Sequence, residues 1–240
     1  MTVDVYPTRD SVIEKEIKDK VVVVVDVLRA TSTIITALYN GCKEVIPVMD
    51  IEEAMVMTKN YERDAFLLGG ERNAVKIEGF DLSNSPLEYT RDKVEGNTII
   101  FTTTNGTKAI KQAGDAKKVL IGSIINADAL CGALLDLDAD VAFVCAGTEG
   151  RFSLDDIIAV GAIISRLKSK GAQLSLDDLA MVCLYLYESN KSSLHDILKD
   201  TYHYKRLLEE GFTDDLKYCL TPNRAPIVPM YKDGVIKNIY

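Results

Sequence analysis

Val21-Val22-Val23-Val24-Val25-Asp26-Val27-Leu28-Arg29-Ala30-Thr31-Ser32-Thr33 decides the fold of this chain. A run of β-branched residues without alternation predicts a strand buried on both faces. A polar turn follows. Helical periodicity then runs over Thr33–Asn40, with Thr31 or Ser32 as the cap and Gly41 as the stop. Strand, turn and helix make half of a βαβ unit. In open sheets of such units, ligands sit outside the carboxyl ends of the strands.

The same unit recurs. Thr98–Phe101 runs into Thr102-Thr103-Thr104-Asn105-Gly106-Thr107, and Val141–Val144 into Cys145-Ala146-Gly147-Thr148-Glu149-Gly150-Arg151. Further strands are expected at Val3–Tyr6 (a short edge), Glu44–Val48, Ala65–Leu68 and Lys118–Ile121. Asp50-Ile51-Glu52-Glu53 is a capping box that opens a helix. Residues 74–91 read as a long loop, with a short proline-led helix at Ser85-Pro86-Leu87-Glu88. Beyond Arg151 the pattern turns helical over 155–169, 176–188, 194–200, 204–210 and 214–220. Pro226–Met230 and Val235–Ile239 flank an Asp-Gly turn and predict a terminal hairpin. The class is therefore α/β: a three-layer α/β/α arrangement with a largely parallel or mixed sheet, a helical C-terminal portion and a closing hairpin. Residues 1–240 read as one α/β unit; any division into subdomains would fall near 122–140.

Of the 240 residues, 47% are apolar and 27% charged, as in an ordinary soluble domain. No apolar run approaches the roughly 20 residues of a membrane span. Met1–Val5 lacks the pattern of a secretory leader, so a cytoplasmic location and no membrane partner are expected. The 5 cysteines are scattered without a Cys-x-x-Cys pair, which argues against a disulfide framework or a zinc knuckle. A net charge of −8 with no basic cluster argues against nucleic acid as a partner. Homo-oligomerisation is left open. A small anionic ligand would need a local pocket of positive charge. Arg29, Arg72 and Arg151 each lie in a turn beside a carboxylate.

Asp26 stands where a buried strand meets solvent. A buried charge is costly unless paired or metal-bound. Asp26 is thus a metal ligand or a nucleophile, or else it caps the next helix. Arg29 offers a planar fork for an oxyanion, or an ion pair to Asp26. Thr31 and Ser32 supply hydroxyls at a helix start, and Thr102, Thr103, Thr104 and Asn105 repeat that logic as an anion cradle. The cradle lacks the terminal Gly-Lys-Ser/Thr of a Walker loop. Glu71 with Arg72, and Gly147, Thr148 and Glu149 with Arg151, place acid and base on glycine-bearing turns. Asp155 and Asp156 open a helix, where acidic residues also favour the dipole. His203 reads as a helix-end residue, and Cys145 as a buried thiol.

Together, Asp-Val-Leu-Arg-Ala-Thr (26–31), Gly-Glu-Arg (70–72), Lys-Ile-Glu-Gly-Phe-Asp-Leu-Ser-Asn-Ser-Pro (76–86), Thr-Thr-Thr-Asn-Gly-Thr (102–107) and Cys-Ala-Gly-Thr-Glu-Gly-Arg (145–151) resemble the 2-phosphosulfolactate phosphatase family. The resemblance implies a Mg²⁺-dependent phosphatase converting 2-phospho-3-sulfolactate to 3-sulfolactate, a step in coenzyme M biosynthesis. On that footing Asp26, Glu71 and Glu149 are the expected metal ligands, and Asp26, Arg29 and Glu149 the expected catalytic groups. Thr31, Ser32, Arg72, Thr102, Thr103, Thr104, Asn105, Gly147, Thr148 and Arg151 are the expected substrate contacts. Two alternatives stand beside it: a phosphatase for another small phosphorylated hydroxy acid, and a non-catalytic binder of small anions. A haloacid-dehalogenase-type enzyme would need a second aspartate where this chain has Leu28.

Overall fold

The computed structural model describes residues 1–239. Its strands are β1 (Thr2–Tyr6), β2 (Val21–Val25), β3 (Glu44–Pro47), β4 (Phe66–Arg72), β5 (Val75–Lys76), β6 (Thr98–Thr102), β7 (Lys118–Gly122), β8 (Val141–Cys145), β9 (Ser175–Leu176), β10 (Pro229–Lys232) and β11 (Val235–Asn238). Its helices are α1 (Glu14–Ile17), α2 (Ala30–Tyr39), α3 (Ile51–Met57), α4 (Arg91–Val94), α5 (Gly106–Gln112), α6 (Ala127–Leu137), α7 (Leu154–Ser169), α8 (Asp178–Asn190), α9 (Leu194–Leu198), α10 (Tyr202–Glu209) and α11 (Thr213–Cys219).

The valine run is β2, paired in parallel with β7 on one side and β8 on the other. Val21, Val23 and Val25 face a core with Leu130 and Leu134 of α6 and Ile158 and Ile163 of α7. Val22 and Val24 face another with Ile34 and Ile35 of α2 and Ile110 of α5. A strand covered on both faces has no polar side to alternate with, which is why its sequence does not alternate. Helices on both faces make the three layers.

The sheet has 11 strands in the order β5-β4-β6-β3-β11-β10-β7-β2-β8-β1-β9, and it is mixed. β7, β2, β8 and β1 are mutually parallel, as are β3, β6 and β4. The hairpin β10–β11 lies between these sets, antiparallel to β7 on one side and to β3 on the other. Successive antiparallel pairings β7–β10, β10–β11 and β11–β3 make the two sets run in opposite senses. Val45, Ile99 and Phe101 of the second set share the core of Val22 and Val24. Both sets thus pack against α2 and α5 in one core.

These two helices also connect the sets. α2 leads from β2 to β3, and α5 from β6 back to β7. Their opposite traverses bring the turn after β2 against the turn after β6. A Cβ on Gly106 would lie 2.6 Å from both the Ala30 Cβ and Asp26 Oδ2, so only glycine permits this approach.

Several local expectations need correction. Gly69-Gly70-Glu71-Arg72 is the end of β4 rather than a turn. Gly70, at φ 144°, presses its backbone on the Thr102 carbonyl, 2.0 Å from where a Cβ would lie. Helix α2 starts at Ala30, so Arg29 holds the cap position and Thr31 and Ser32 lie within the first turn. The proline-led helix is one 3₁₀ turn, Pro86–Glu88. β1 is not the edge, because β9 pairs beside it.

Candidate active site

The turn after β2 is held by its own hydroxyls. Thr31 Oγ1 donates to the Asp26 carbonyl at 2.9 Å and accepts from Asp26 N at 3.2 Å. Ser32 Oγ donates to the Val27 carbonyl at 2.8 Å and lies 2.8 Å from Ser123 Oγ. Among the described residues, only Ala30 N donates to the Asp26 carboxylate, at Oδ1 and 3.3 Å. Asp26 is 8% exposed and lines an open cleft. Burial pushes its carboxyl up to about 6, helped by the charges of Asp155 and Glu71 and opposed by His203 and the Ala30 N–H.

Arg29 is 1% exposed and is among the residues lining the same cleft. Its ion pair is with Asp215 of α11, Nη1 to Oδ2 at 2.5 Å, and not with Asp26. Nη2 donates to the Ala74 carbonyl at 3.1 Å, and the fork stacks 3.8 Å from the centre of the Phe212 ring. Asp215 Oδ1 in turn accepts from Ser85 Oγ at 2.7 Å. One buried carboxylate therefore fixes the arginine to both α11 and the loop before α4.

The second set of strands supplies another wall. Glu71 Oε1 accepts from Thr104 N at 2.7 Å, and Oε2 from Ala74 N at 2.8 Å and Thr104 Oγ1 at 3.2 Å. Both carboxylate oxygens are thus engaged in holding two turns together. Thr104 and Asn105 line the cleft. Thr102 and Thr103 do not: Thr102 Oγ1 accepts from Arg72 Nη2, and Thr103 exchanges hydrogen bonds with Thr107. Arg72 also donates to the Glu71 carbonyl, so it braces β4 rather than facing the cleft.

The turn after β8 and helices α7 and α10 close the site. Gly147 takes φ 68°, and its N–H donates to Asp156 Oδ2 at 3.1 Å, while Val27 N donates to Oδ1 at 3.0 Å. Asp156 so ties the turn after β8 to the turn after β2. Burial, then the charges of Asp155 and Asp26, hold its carboxyl well above the usual carboxylate range. Thr148 and Glu149 line the cleft, with Glu149 Oε1 lying 3.5 Å from Arg206 Nη1 and 3.3 Å from the Tyr202 hydroxyl. Arg151 lines an adjoining pocket that shares Thr148, Glu149 and His203 with the cleft.

Thus Asp26, Arg29, Glu71, Thr104, Asn105, Thr148 and Glu149 converge on one cleft, while Thr31, Ser32, Arg72, Thr102, Thr103, Gly147 and Arg151 lie outside it. His203, Arg206 and Asn84 join them, although the sequence reading did not select them. His203 Nδ1 lies 3.2 Å from Oδ2 of Asp155, which is 1% exposed. Burial disfavours its charged form, but the Asp155 hydrogen bond and the charges of Asp155 and Asp26 outweigh that and raise its pKa. His203 and Arg206 stand one turn apart on α10, a spacing found on any helix face, so nothing local marks them.

Among the described residues no group of three or more His, Cys, Asp or Glu is gathered as a metal cage. Mg²⁺ needs no cage: it keeps several waters and takes one or two carboxylates with other oxygens. The cleft fits that demand. Asn84 Oδ1 is buried without a hydrogen-bond partner, and Asn84 lines the cleft together with Asp26. Among the described residues no helix is long and apolar enough to cross a membrane.

Residues 6–234 match the family model described as 2-phosphosulpholactate phosphatase. The chain is 51% identical over 237 residues to a probable 2-phosphosulfolactate phosphatase of Caldanaerobacter subterraneus subsp. tengcongensis, covering 99% of this chain and 98% of that protein. Proteins of the same description from Clostridium tetani and Clostridium acetobutylicum are 49% and 46% identical, each covered over its full length by 99% and 98% of this chain respectively. With its motifs, its fold and these relatives agreeing along nearly its whole length, the chain belongs to the 2-phosphosulfolactate phosphatase family.

Proposed function

We propose that this chain is a cytoplasmic, Mg²⁺-dependent phosphoric monoester hydrolase that releases phosphate from 2-phospho-3-sulfolactate, supplying 3-sulfolactate toward coenzyme M. The observation that carries this reading is the convergence in one cleft of a buried carboxylate, Asp26, with two arginines, Arg29 and Arg206. A site meant only to hold an anion gains nothing from a buried carboxylate, which repels its ligand. A metal-dependent phosphatase uses one to place a cation against the phosphate.

Asp26 and Asn84 would hold the Mg²⁺, which when bound neutralises the phosphate oxygens and activates water. Arg29 uses two of its N–H groups on Asp215 and Ala74, leaving the rest of its fork for an oxyanion. Being held by Asp215, Ala74 and Phe212, it binds without losing much side-chain freedom. Asn105 makes no capping bond to its own helix, so its amide remains to receive a phosphate oxygen. Glu71 and Asp156 bind no ligand in this scheme; each locks two turns into the shape of the cleft. Arg151 lines the adjoining pocket, and in this reading it takes the sulfonate.

The test is phosphate release from 2-phospho-3-sulfolactate by the purified chain, with Mg²⁺ and with chelator. Release that needs Mg²⁺ is expected. No release at saturating Mg²⁺ would refute the reading, and undiminished release in chelator would remove the metal from it.

A further inference from the structure

We propose that His203 is the general acid that protonates the oxygen leaving phosphorus, with Asp155 as its positioning residue. This rests on the phosphatase reading above.

The placement is the first argument. His203 lines both the Asp26 cleft and the adjoining pocket of Arg151. With phosphate in the first and the carbon skeleton reaching into the second, the oxygen that joins them passes the imidazole. The second argument is orientation. Nδ1 is committed to Asp155 Oδ2 at 3.2 Å, which leaves Nε2 as the nitrogen that meets substrate. The third is the state of Asp155. Its Oδ1 is buried without a hydrogen-bond partner, and among the described residues His203 is the cation paired with the carboxylate. A buried carboxylate so placed favours the imidazolium, the form that carries the proton.

Charged groups from every neighbouring element bear on this ring. Asp155 and Asp156 open α7, Asp26 and Arg29 belong to the turn after β2, Glu71 ends β4, Glu149 follows β8, and Arg206 is one turn along α10. Asp155 and Asp26 support the positive charge, and Arg29 opposes it.

In the step, the bond from phosphorus to the substrate's C2 oxygen breaks, and its electron pair stays with that oxygen. The oxygen takes the Nε2 proton and leaves as the hydroxyl of the product. A water oxygen bonds to phosphorus, and both of its protons go with the new phosphate. One of these returns to His203, which restores the imidazolium. The alkoxide of a hydroxy acid is a poor leaving group, so this proton is worth roughly 10²–10⁴-fold in rate.

The experiment compares wild type with His203→Gln and Asp155→Asn at saturating Mg²⁺, on 2-phospho-3-sulfolactate and on 4-nitrophenyl phosphate, whose phenolate leaves without a proton. Thermal unfolding confirms that the variants fold. His203→Gln is expected to lose roughly 10²–10⁴-fold in kcat on the sulfolactate ester and less than about 10-fold on the aryl ester. Its kcat should lose the alkaline limb of the pH profile. Asp155→Asn should keep that limb but move it to lower pH. A retained alkaline limb in His203→Gln, or equal losses on the two esters, overturns the proposal. The pH profile on the sulfolactate ester decides the matter alone if the aryl ester is not turned over. A wild type that hydrolyses neither ester overturns the phosphatase reading itself, a failure distinct from that of His203.

Discussion

Asp26→Asn should abolish turnover and at the same time make the protein more stable at neutral pH. Asp26 titrates near 6 in the fold, against 3.8 for a free side chain. At 1.36 kcal/mol per pKa unit, holding its charge in the folded state above pH 6 costs about 3 kcal/mol. The sign follows from linkage. Between 3.8 and about 6 the folded state binds the proton and the unfolded state does not, so folding is favoured at low pH and this advantage is lost as pH rises through 6. Asparagine keeps the shape and the Ala30 hydrogen bond but carries no charge. Part of the gain is offset because the charge of Asp26 also supports imidazolium at His203. The expected gain at pH 8 is therefore about 1–3 kcal/mol, or several degrees in Tm for a chain of this length. The assay is paired: Mg²⁺-dependent phosphate release, and thermal unfolding in chelator at pH 8 and at pH 4. The stability difference should be present at the higher pH and vanish at the lower. A variant that keeps wild-type turnover, or that is less stable than wild type at pH 8, would refute this account of Asp26.

Arg29→Lys keeps the charge but loses the fork that spans Asp215, Ala74 and the Phe212 face; a stability loss of about 1.5–3 kcal/mol in urea unfolding and a raised KM are expected, and an unchanged kcat/KM removes Arg29 from the site. Gly161→Ala would set a Cβ 2.1 Å from the Cys183 carbonyl where α7 crosses α8; a loss of about 1–3 kcal/mol or more is expected in the same assay, and wild-type stability would show that the helices separate freely. Arg151→Ala should reduce kcat/KM for 2-phospho-3-sulfolactate much more than for phospholactate, which lacks the sulfonate; equal losses would take Arg151 out of sulfonate recognition.

What the sequence disclosed follows from what is local. Five valines in β2, the Asp-Gly turn of the terminal hairpin and the polar turns after β2, β6 and β8 are set by neighbours in the chain, and they could be read directly. Asp26 stood out because an acid directly after a buried strand is conspicuous. The partners of these groups are a different matter. Arg29 meets Asp215, 186 positions away, and His203 meets Asp155, 48 positions away; neither distance leaves a periodic trace. Thr31, Ser32 and Thr103 have the composition of an anion cradle, yet their hydroxyls satisfy backbone groups of their own turns. Sequence names the donors without saying to whom they donate. Glu71, expected as a metal ligand, has both carboxylate oxygens accepting hydrogen bonds from two turns, partners that its sequence neighbours do not announce.

The hairpin of β10 and β11 is synthesised after every other strand described, yet it is the seam of the sheet. While the chain is still emerging from the ribosome, β7 and β3 each present an open edge of unpaired amides and carbonyls, a template for wrong partners. Asp26 follows β2 on one side of that seam, and Glu71 and Thr104 lie at the ends of β4 and β6 on the other. A nascent or prematurely terminated chain lacking Pro229–Asn238 therefore has no strand ladder between the two sets, and each keeps an open margin. Vectorial synthesis thus leaves both margins open until the last strands arrive, and it makes incomplete chains ready clients for chaperones and proteases.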